Sequence, residues 1–168
     1  MFGMKLSVYK CIIFIFIVLL EHVILQSNKY TDVMKRLSYS FGLSLLECGD
    51  TGNATEPMEK DIYNYWNVNY NLSHISTGCL VLCSMAKLEL LDGEGQLKKA
   101  NAEGYVRANG GDSEVFSTLL NLYTKCRDVP RSTTQPCAVA LEMSKCFRQG
   151  IHDRRWTPDI SSLLSLNE

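Results

Sequence analysis

The sequence of 168 residues lacks the features on which several classes of protein depend. Its formal net charge is −1, and a chain without excess positive charge has no electrostatic means of holding nucleic acid or an anionic membrane. Its three histidines limit the metal and acid–base sites it can build. The apolar run at residues 11–20 is shorter than the roughly 20 residues that a membrane-spanning helix needs. Internal repeats and low-complexity tracts are also missing.

What is present is an ordinary globular composition with an unusual number of cysteines. Hydrophobic residues make up 46% of the chain and charged residues 21%, which is the balance of a folded protein. The length suits a single domain. Seven cysteines in a chain of this size are many, and their chemistry depends on the compartment in which the protein works.

The first residues indicate that this compartment is extracellular. Lys5 and Lys10 precede the apolar run, and Glu21 and His22 follow it. A basic start, a short apolar stretch and a polar exit are typical of a secretory signal peptide. We predict a signal peptide over residues 1–26; a membrane anchor is the weaker alternative because the run is short.

Removal of residues 1–26 leaves an even number of cysteines, because Cys11 departs with the signal peptide. An even number in an exported chain predicts three disulfides, although spacing alone leaves fifteen connectivities open. Free thiols or a zinc site are the alternatives, but no histidine lies at ligand spacing near the cysteines. We therefore predict no metal and no cofactor. The six remaining cysteines are Cys48, Cys79, Cys83, Cys126, Cys137 and Cys146.

The dominant hydrophobic period is that of a helix, and no segment alternates with the period of a strand. The predicted fold class is all-α with six helices. In the second of these we expect Ile62, Tyr65 and Trp66 to face inward. The first helix is predicted at residues 30–48, the second begins at Pro57, and the third runs from a cap at Ser76 or Thr77 to residue 90. The fourth is predicted over 97–108, the fifth begins after a cap at Asp112, and the sixth begins at Pro136.

Cys79 and Cys83 lie four residues apart, on one face of the third helix. Each more naturally bonds to a different helix than to its neighbour, which makes the third helix a hub. Because the chain is long enough to fold by packing alone, three additional covalent links would allow a poorly filled centre. A helical shell around an apolar space and an extracellular protein with a filled core both remain open at this point.

The cysteine spacing resembles that of a known family. Successive cysteines are separated by 30, 3, 42, 10 and 8 residues, as in the insect odorant-binding proteins. Further segments resemble the moth pheromone-binding branch of that family, over about residues 30–160. These segments are Val-Met-Lys-Arg-Leu37 with Phe41-Gly42, Asp61-Ile-Tyr-Asn-Tyr-Trp66, Thr77-Gly-Cys79, Lys87-Leu88, Leu91-Asp-Gly-Glu-Gly95, Lys145-Cys-Phe147 and Trp156-Thr-Pro158.

The resemblance implies a fold, a function and a set of disulfides. It implies that residues 27–158 form a six-helix, disulfide-linked bundle around a single apolar cavity, followed by a C-terminal tail at 159–168. It implies the pairings Cys48–Cys83, Cys79–Cys137 and Cys126–Cys146. Its members carry small hydrophobic odorants or pheromones, such as long-chain alcohols, acetates or aldehydes, through aqueous lymph to receptors. An odorant-receptor complex and a second copy of the chain are therefore candidate partners.

The resemblance also implies a ligand-binding set. Phe41 and Phe147 match two family aromatics that flank the ligand chain, and other positions follow by register. Ordinary core packing is the alternative explanation for each of them, because apolar helical stripes usually belong to a core. The predicted lining residues are Met34, Ser38, Phe41, Ile62, Tyr65, Trp66, Val81, Met85, Leu91, Leu97, Tyr105, Leu120, Tyr123, Met143 and Phe147.

Two departures from the family pattern affect binding and release. Met85 stands where relatives often place a serine that contacts the ligand head group, so Ser38, Tyr105 and Tyr123 become candidate replacements. Many relatives also carry histidines on a loop lid and on the fifth helix, which form an acid-sensitive latch. In this chain those positions hold Lys98, Lys99 and Thr124.

Two alternatives come from other classes, and a third stays within the same fold. His152-Asp153 is similar to the dyad of secreted phospholipase A2, but adjacent cysteines and a glycine-rich calcium loop are missing from the sequence. We therefore predict that the chain is not an enzyme. A secreted interaction protein with a filled core is the second alternative, and a carrier of hydrophobic ligands outside olfaction is the third.

Overall fold

The computed structural model describes residues 2–52 and 55–159, and in these ranges it is built from helices. The predicted all-α class is confirmed. The only extended pairing among the described residues is an isolated bridge between Leu91 and Leu97. The helices of the described ranges are α1 (Phe2–Gly52), α2 (Glu56–Tyr63), α3 (Ile75–Lys87), α4 (Lys99–Ala108), α5 (Ser113–Arg127) and α6 (Pro136–Asp153).

Helix α1 is longer than the predicted span of 30–48. It runs on through the predicted signal peptide because neither glycine nor proline interrupts residues 4–41. Its buried side chains include Tyr30, Val33 and Leu37, and Val33 and Leu37 follow the predicted period. The side chains of residues 12–17 are exposed instead, so they add nothing to the core. No helix in the described part of the chain is long and apolar enough to cross a membrane.

The buried side chains form two clusters instead of one continuous core. The first joins α1, α4, α5 and the end of α6, with Val33, Phe116 and Ile151 among its members. The second is smaller and joins α1, α2 and α3 through Cys48, Met58 and Leu80. This division matters for the binding site, because the side chains at the margins of the clusters are only partly covered.

The segment between α2 and α3 departs from prediction at both ends. Helix α2 ends at Tyr63, so Tyr65 and Trp66 lie in the turn that follows it and not in the helix. The predicted cap of α3 at Ser76 or Thr77 was wrong. The N-cap position is His74. Thr77 lies inside the helix, and its hydroxyl donates to the buried carboxylate of Asp61, at 2.8 Å, instead of accepting from the backbone N–H groups of the first turn.

Two predicted helix starts are confirmed, and a third is shifted. The Asp112 carboxylate caps α5 by accepting from the backbone N–H of Glu114 and Val115. A hydrogen bond from Lys29 at 2.7 Å, together with the backbone bonds, holds the pKa of Asp112 below its usual value. Pro136 opens α6. Helix α4 begins at Lys99 and not at 97, because Leu97 pairs with Leu91.

Helices α3 and α6 approach each other very closely at Gly78. A Cβ built on Gly78 would lie 1.9 Å from the carbonyl oxygen of Cys137 and 2.8 Å from the backbone nitrogen of Leu141. Only glycine permits this contact. The disulfide Cys79–Cys137 joins the two helices at the same level, with the Cα atoms 4.5 Å apart.

The other two disulfides complete the set that the resemblance implies. Cys48–Cys83 links α1 to α3, and Cys126–Cys146 links α5 to α6, with Cα separations of 6.1 and 5.7 Å. Helix α3 is thus bonded to both α1 and α6, in agreement with its expected role as a hub.

Candidate ligand-binding site

The predicted lining residues are drawn from every helix and from the loop between α3 and α4. All of them are half-buried except Met34, which is 3% exposed. Helix α1 contributes Met34, Ser38 and Phe41, α2 and its following turn Ile62, Tyr65 and Trp66, and α3 Val81 and Met85. The loop contributes Leu91 and Leu97, α4 Tyr105, α5 Leu120 and Tyr123, and α6 Met143 and Phe147.

Several of these side chains pack at the margins of the two buried clusters. Trp66, Tyr105, Leu120 and Phe147 lie against the first cluster, and Ile62 lies against the second. Large apolar side chains that touch a core without being fully covered are typical of the wall of an internal space or groove.

The tyrosines of the set lie in an environment poor in water. Burial raises the pKa of Tyr65 to about 12, although the charge of Arg148 and the hydrogen bond to Ser144 oppose the shift. Burial also raises the pKa of Tyr105 and Tyr123. The three phenols are half-buried, and loss of water around the charged form is the cause of each shift.

The candidate head-group contacts differ in their availability. The hydroxyl of Tyr105 donates to the carbonyl oxygen of Leu37 at 2.8 Å, so its proton is already used. The hydroxyl of Ser38 is buried and has no hydrogen-bond partner among the described residues. Buried hydroxyls are normally paired, and Ser38 is therefore the better candidate to meet a polar ligand end. Met85 offers only a weak acceptor.

The loop between α3 and α4 is held by its own backbone. Its strands meet at the Leu91–Leu97 bridge, and the Asp92 carboxylate accepts from the backbone N–H of Glu94 and Gln96 at 3.0 and 2.8 Å. The N–H of Lys98 donates to the carbonyl of Leu90. None of these contacts uses a histidine, so the loop carries no group that ordinarily titrates between about pH 5 and 7.

The polar pair His152-Asp153 lies at an exposed end of α6. The side chains are 49% and 63% exposed, and Nδ1 of His152 is 3.9 Å from Oδ1 of Asp153. They line a surface pocket of about 500 Å³ together with Arg155 and Thr157. No cluster of His, Cys, Asp or Glu that could hold a metal ion was found in the described part of the chain. This solvated pair lies apart from the predicted lining residues.

Sequence reasoning missed one residue next to the site. Arg148 is only 7% exposed, and its Nη1 donates to the carbonyl oxygens of Tyr65 and Asn67 at 3.2 and 3.1 Å. It thereby joins α6 to the turn that holds Trp66. A single arginine after Phe147 is usually interpreted as a surface residue. Arg148 lies one helical turn after Ser144, however, and this spacing places it on the inward side of α6.

The chain is similar to known proteins of one family. The model of the PBP/GOBP family matches residues 33–150. Pheromone-binding protein 2 of Epiphyas postvittana is 31% identical over 127 residues, 76% of this chain and 77% of that protein. General odorant-binding protein 1 of Antheraea pernyi is 20% identical over 80% of each chain.

A solved structure shows the same fold. The crystal structure of Epiphyas postvittana pheromone binding protein 3 is 37% identical, covers 66% of this chain and 94% of its own, and superposes with a TM-score of 0.59. The family match spans more than half of the chain. The chain belongs to the PBP/GOBP family.

Proposed function

We propose that this protein is exported and carries long-chain alcohols, acetates or aldehydes through an aqueous lymph to odorant receptors. Members of the PBP/GOBP family are odorant or pheromone carriers and not enzymes, and this chain is a carrier of the same kind. Removal of residues 1–26 as a signal peptide is part of the proposal. Delivery to a receptor complex and pairing of two copies are further parts of it.

One observation supports the binding site above the others. Trp66, Tyr105, Leu120 and Phe147 come from four different parts of the chain and pack against the first cluster without being fully covered. An alkyl chain placed against them would gain about 0.8 kcal/mol for each CH₂ group buried. Ten such groups contribute about 8 kcal/mol, against an association cost of at least about 4 kcal/mol. The difference is enough for binding that is still reversible, as a carrier requires.

The binding test is displacement of the fluorescent probe N-phenyl-1-naphthylamine by dodecanol and dodecyl acetate. We expect both ligands to displace the probe, and Phe147→Ala to weaken them by about tenfold because an aromatic contact with the alkyl chain is lost. Tyr63→Ala is the matched control, since Tyr63 is 63% exposed at the end of α2, and it should leave affinity unchanged. A chain that takes up neither probe nor ligand would favour the interaction protein with a filled core.

The response of affinity to acid is a second prediction. Relatives with a histidine latch would release ligand on acidification, whereas the corresponding positions here are Lys98, Lys99 and Thr124. Lysine side chains keep their charge throughout the range from about pH 7 to about pH 5. Because the pKa of Asp112 is lowered, its carboxylate stays charged, and its ion pair with Lys29 is kept, at a more acidic pH than an ordinary aspartate would allow.

We therefore expect the affinity for dodecanol to fall by less than about tenfold between about pH 7 and about pH 5. The measurement is a set of probe-displacement titrations at successive pH values, with circular dichroism to verify that the fold persists. A hundredfold loss would show that another acid-sensitive device exists in this chain. A variant with Lys98→His and Lys99→His tests the converse, since it should restore part of the acid response.

A further inference from the structure

Arg148 is a buried cation whose charge no carboxylate balances in the described part of the chain. It is 7% exposed, and none of the ion pairs among the described residues includes it. Charged side chains are seldom buried without a partner, because desolvation of the charge is costly. The two carbonyl oxygens that accept from Nη1 compensate it only in part.

The guanidinium has one edge in hydrogen bonds and one edge without a partner among the described residues. Nη1 is used by the carbonyls of Tyr65 and Asn67, while Nε is buried and has no hydrogen-bond partner among the described residues. The N–H groups of Nε and Nη2 are parallel and form the fork that binds the two oxygens of a carboxylate. No hydrogen bond from Nη2 occupies the second position of that fork in the described structure.

The surroundings of this edge suit the head of an apolar molecule. Arg148 follows Phe147 on α6, and its carbonyl partners flank Trp66 in the turn after α2. The hydroxyl of Tyr65 donates to the carbonyl of Ser144, one helical turn before Arg148. The charge therefore lies beside the proposed ligand-lining residues and away from open solvent, where an ionic contact is stronger.

We propose that Arg148 is a carboxylate-binding site and that the carrier accepts long-chain fatty acids, held by a bidentate bond to Nε and Nη2. This inference rests on the proposed function and names a further ligand class for the same site.

The experiment compares dodecanoate, methyl dodecanoate and dodecanol as displacers of N-phenyl-1-naphthylamine at neutral pH. We expect dodecanoate to bind at least about tenfold more tightly than its methyl ester, because only the acid offers two charged oxygens. Arg148→Met should weaken dodecanoate by about tenfold or more and change dodecanol by less than about threefold. Arg148→Lys keeps the charge but not the fork, and should show a smaller loss for dodecanoate.

Arg154→Met is the matched control, because Arg154 is an exposed arginine at the end of the same helix. It should alter neither ligand.

Other outcomes would overturn the inference. Equal losses of dodecanoate and dodecanol in Arg148→Met would show that the arginine only positions the turn after α2. The same conclusion follows if the unaltered chain does not prefer the acid to its ester, a comparison that needs no variant at Arg148. If dodecanol itself fails to bind the unaltered chain, the proposed function fails as well, and the two failures are thereby distinguished.

Discussion

Replacement of Gly78 by alanine is expected to destabilise the protein by about 3 kcal/mol or more. The added Cβ would meet the backbone of α6, at 1.9 Å from the carbonyl oxygen of Cys137 and 2.8 Å from the nitrogen of Leu141. Backbone atoms cannot rotate away as a side chain would, so α3 and α6 must separate. The Cys79–Cys137 disulfide opposes that separation, and the strain spreads into both helices.

The same substitution should weaken ligand binding, because the two helices carry part of the proposed site. Val81 and Met85 lie on α3, and Met143 and Phe147 lie on α6. Moving one helix away from the other would alter the space between these side chains. We expect Gly78→Ala to bind dodecanol several-fold more weakly, even under conditions in which the variant is fully folded.

Gly104→Ala is the matched control for this experiment. Gly104 lies within α4, and a Cβ added there would meet no atom within 4 Å. Alanine is the better helix former, so this variant should be more stable by about 0.5–1 kcal/mol. Urea denaturation with the disulfides intact measures both changes. Equal stabilities for Gly78→Ala and the unaltered chain would contradict the close approach of α3 and α6.

Replacement of Asp61 by alanine is expected to cost about 3 kcal/mol. The carboxylate is fully buried, at 0% exposure, and accepts from the hydroxyl of Tyr70, the backbone N–H of His74 and the hydroxyl of Thr77. Each buried donor left without a partner costs about 1–3 kcal/mol. The three donors belong to the segment between α2 and α3 and to the first turn of α3, so they lose their common anchor together.

The asparagine variant separates charge from shape at this position. Asp61→Asn keeps the volume and one acceptor oxygen, and should recover part of the stability. Asp153→Asn serves as the control because Asp153 is exposed at the end of α6. Urea denaturation measures the free energy of unfolding, and amide exchange at His74 reports on the loop directly. Unchanged protection of His74 in Asp61→Ala would show that the carboxylate does not hold this segment.

Local pattern was enough for those parts of the fold that depend on near neighbours. The apolar period of α1 around Val33 and Leu37, the cap at Asp112 and the start at Pro136 were predicted because each involves residues within one or two helical turns. The starts of α3 and α4 were misplaced because distant partners decided them. Thr77 bonds to Asp61, sixteen residues away, and Leu97 pairs across a turn with Leu91.

The sequence by itself determined the helical class, the six cysteines available for disulfides and the family to which the chain belongs. The period of the hydrophobic residues and the spacing of the cysteines can both be measured directly from the sequence. Only the tertiary structure decided which segments, distant in sequence, come into contact. It brought the backbone of α6 against Gly78, and it buried Arg148 beside the turn after α2 without a carboxylate partner among the described residues. Close approach and burial are properties of two segments together, and no single segment encodes them.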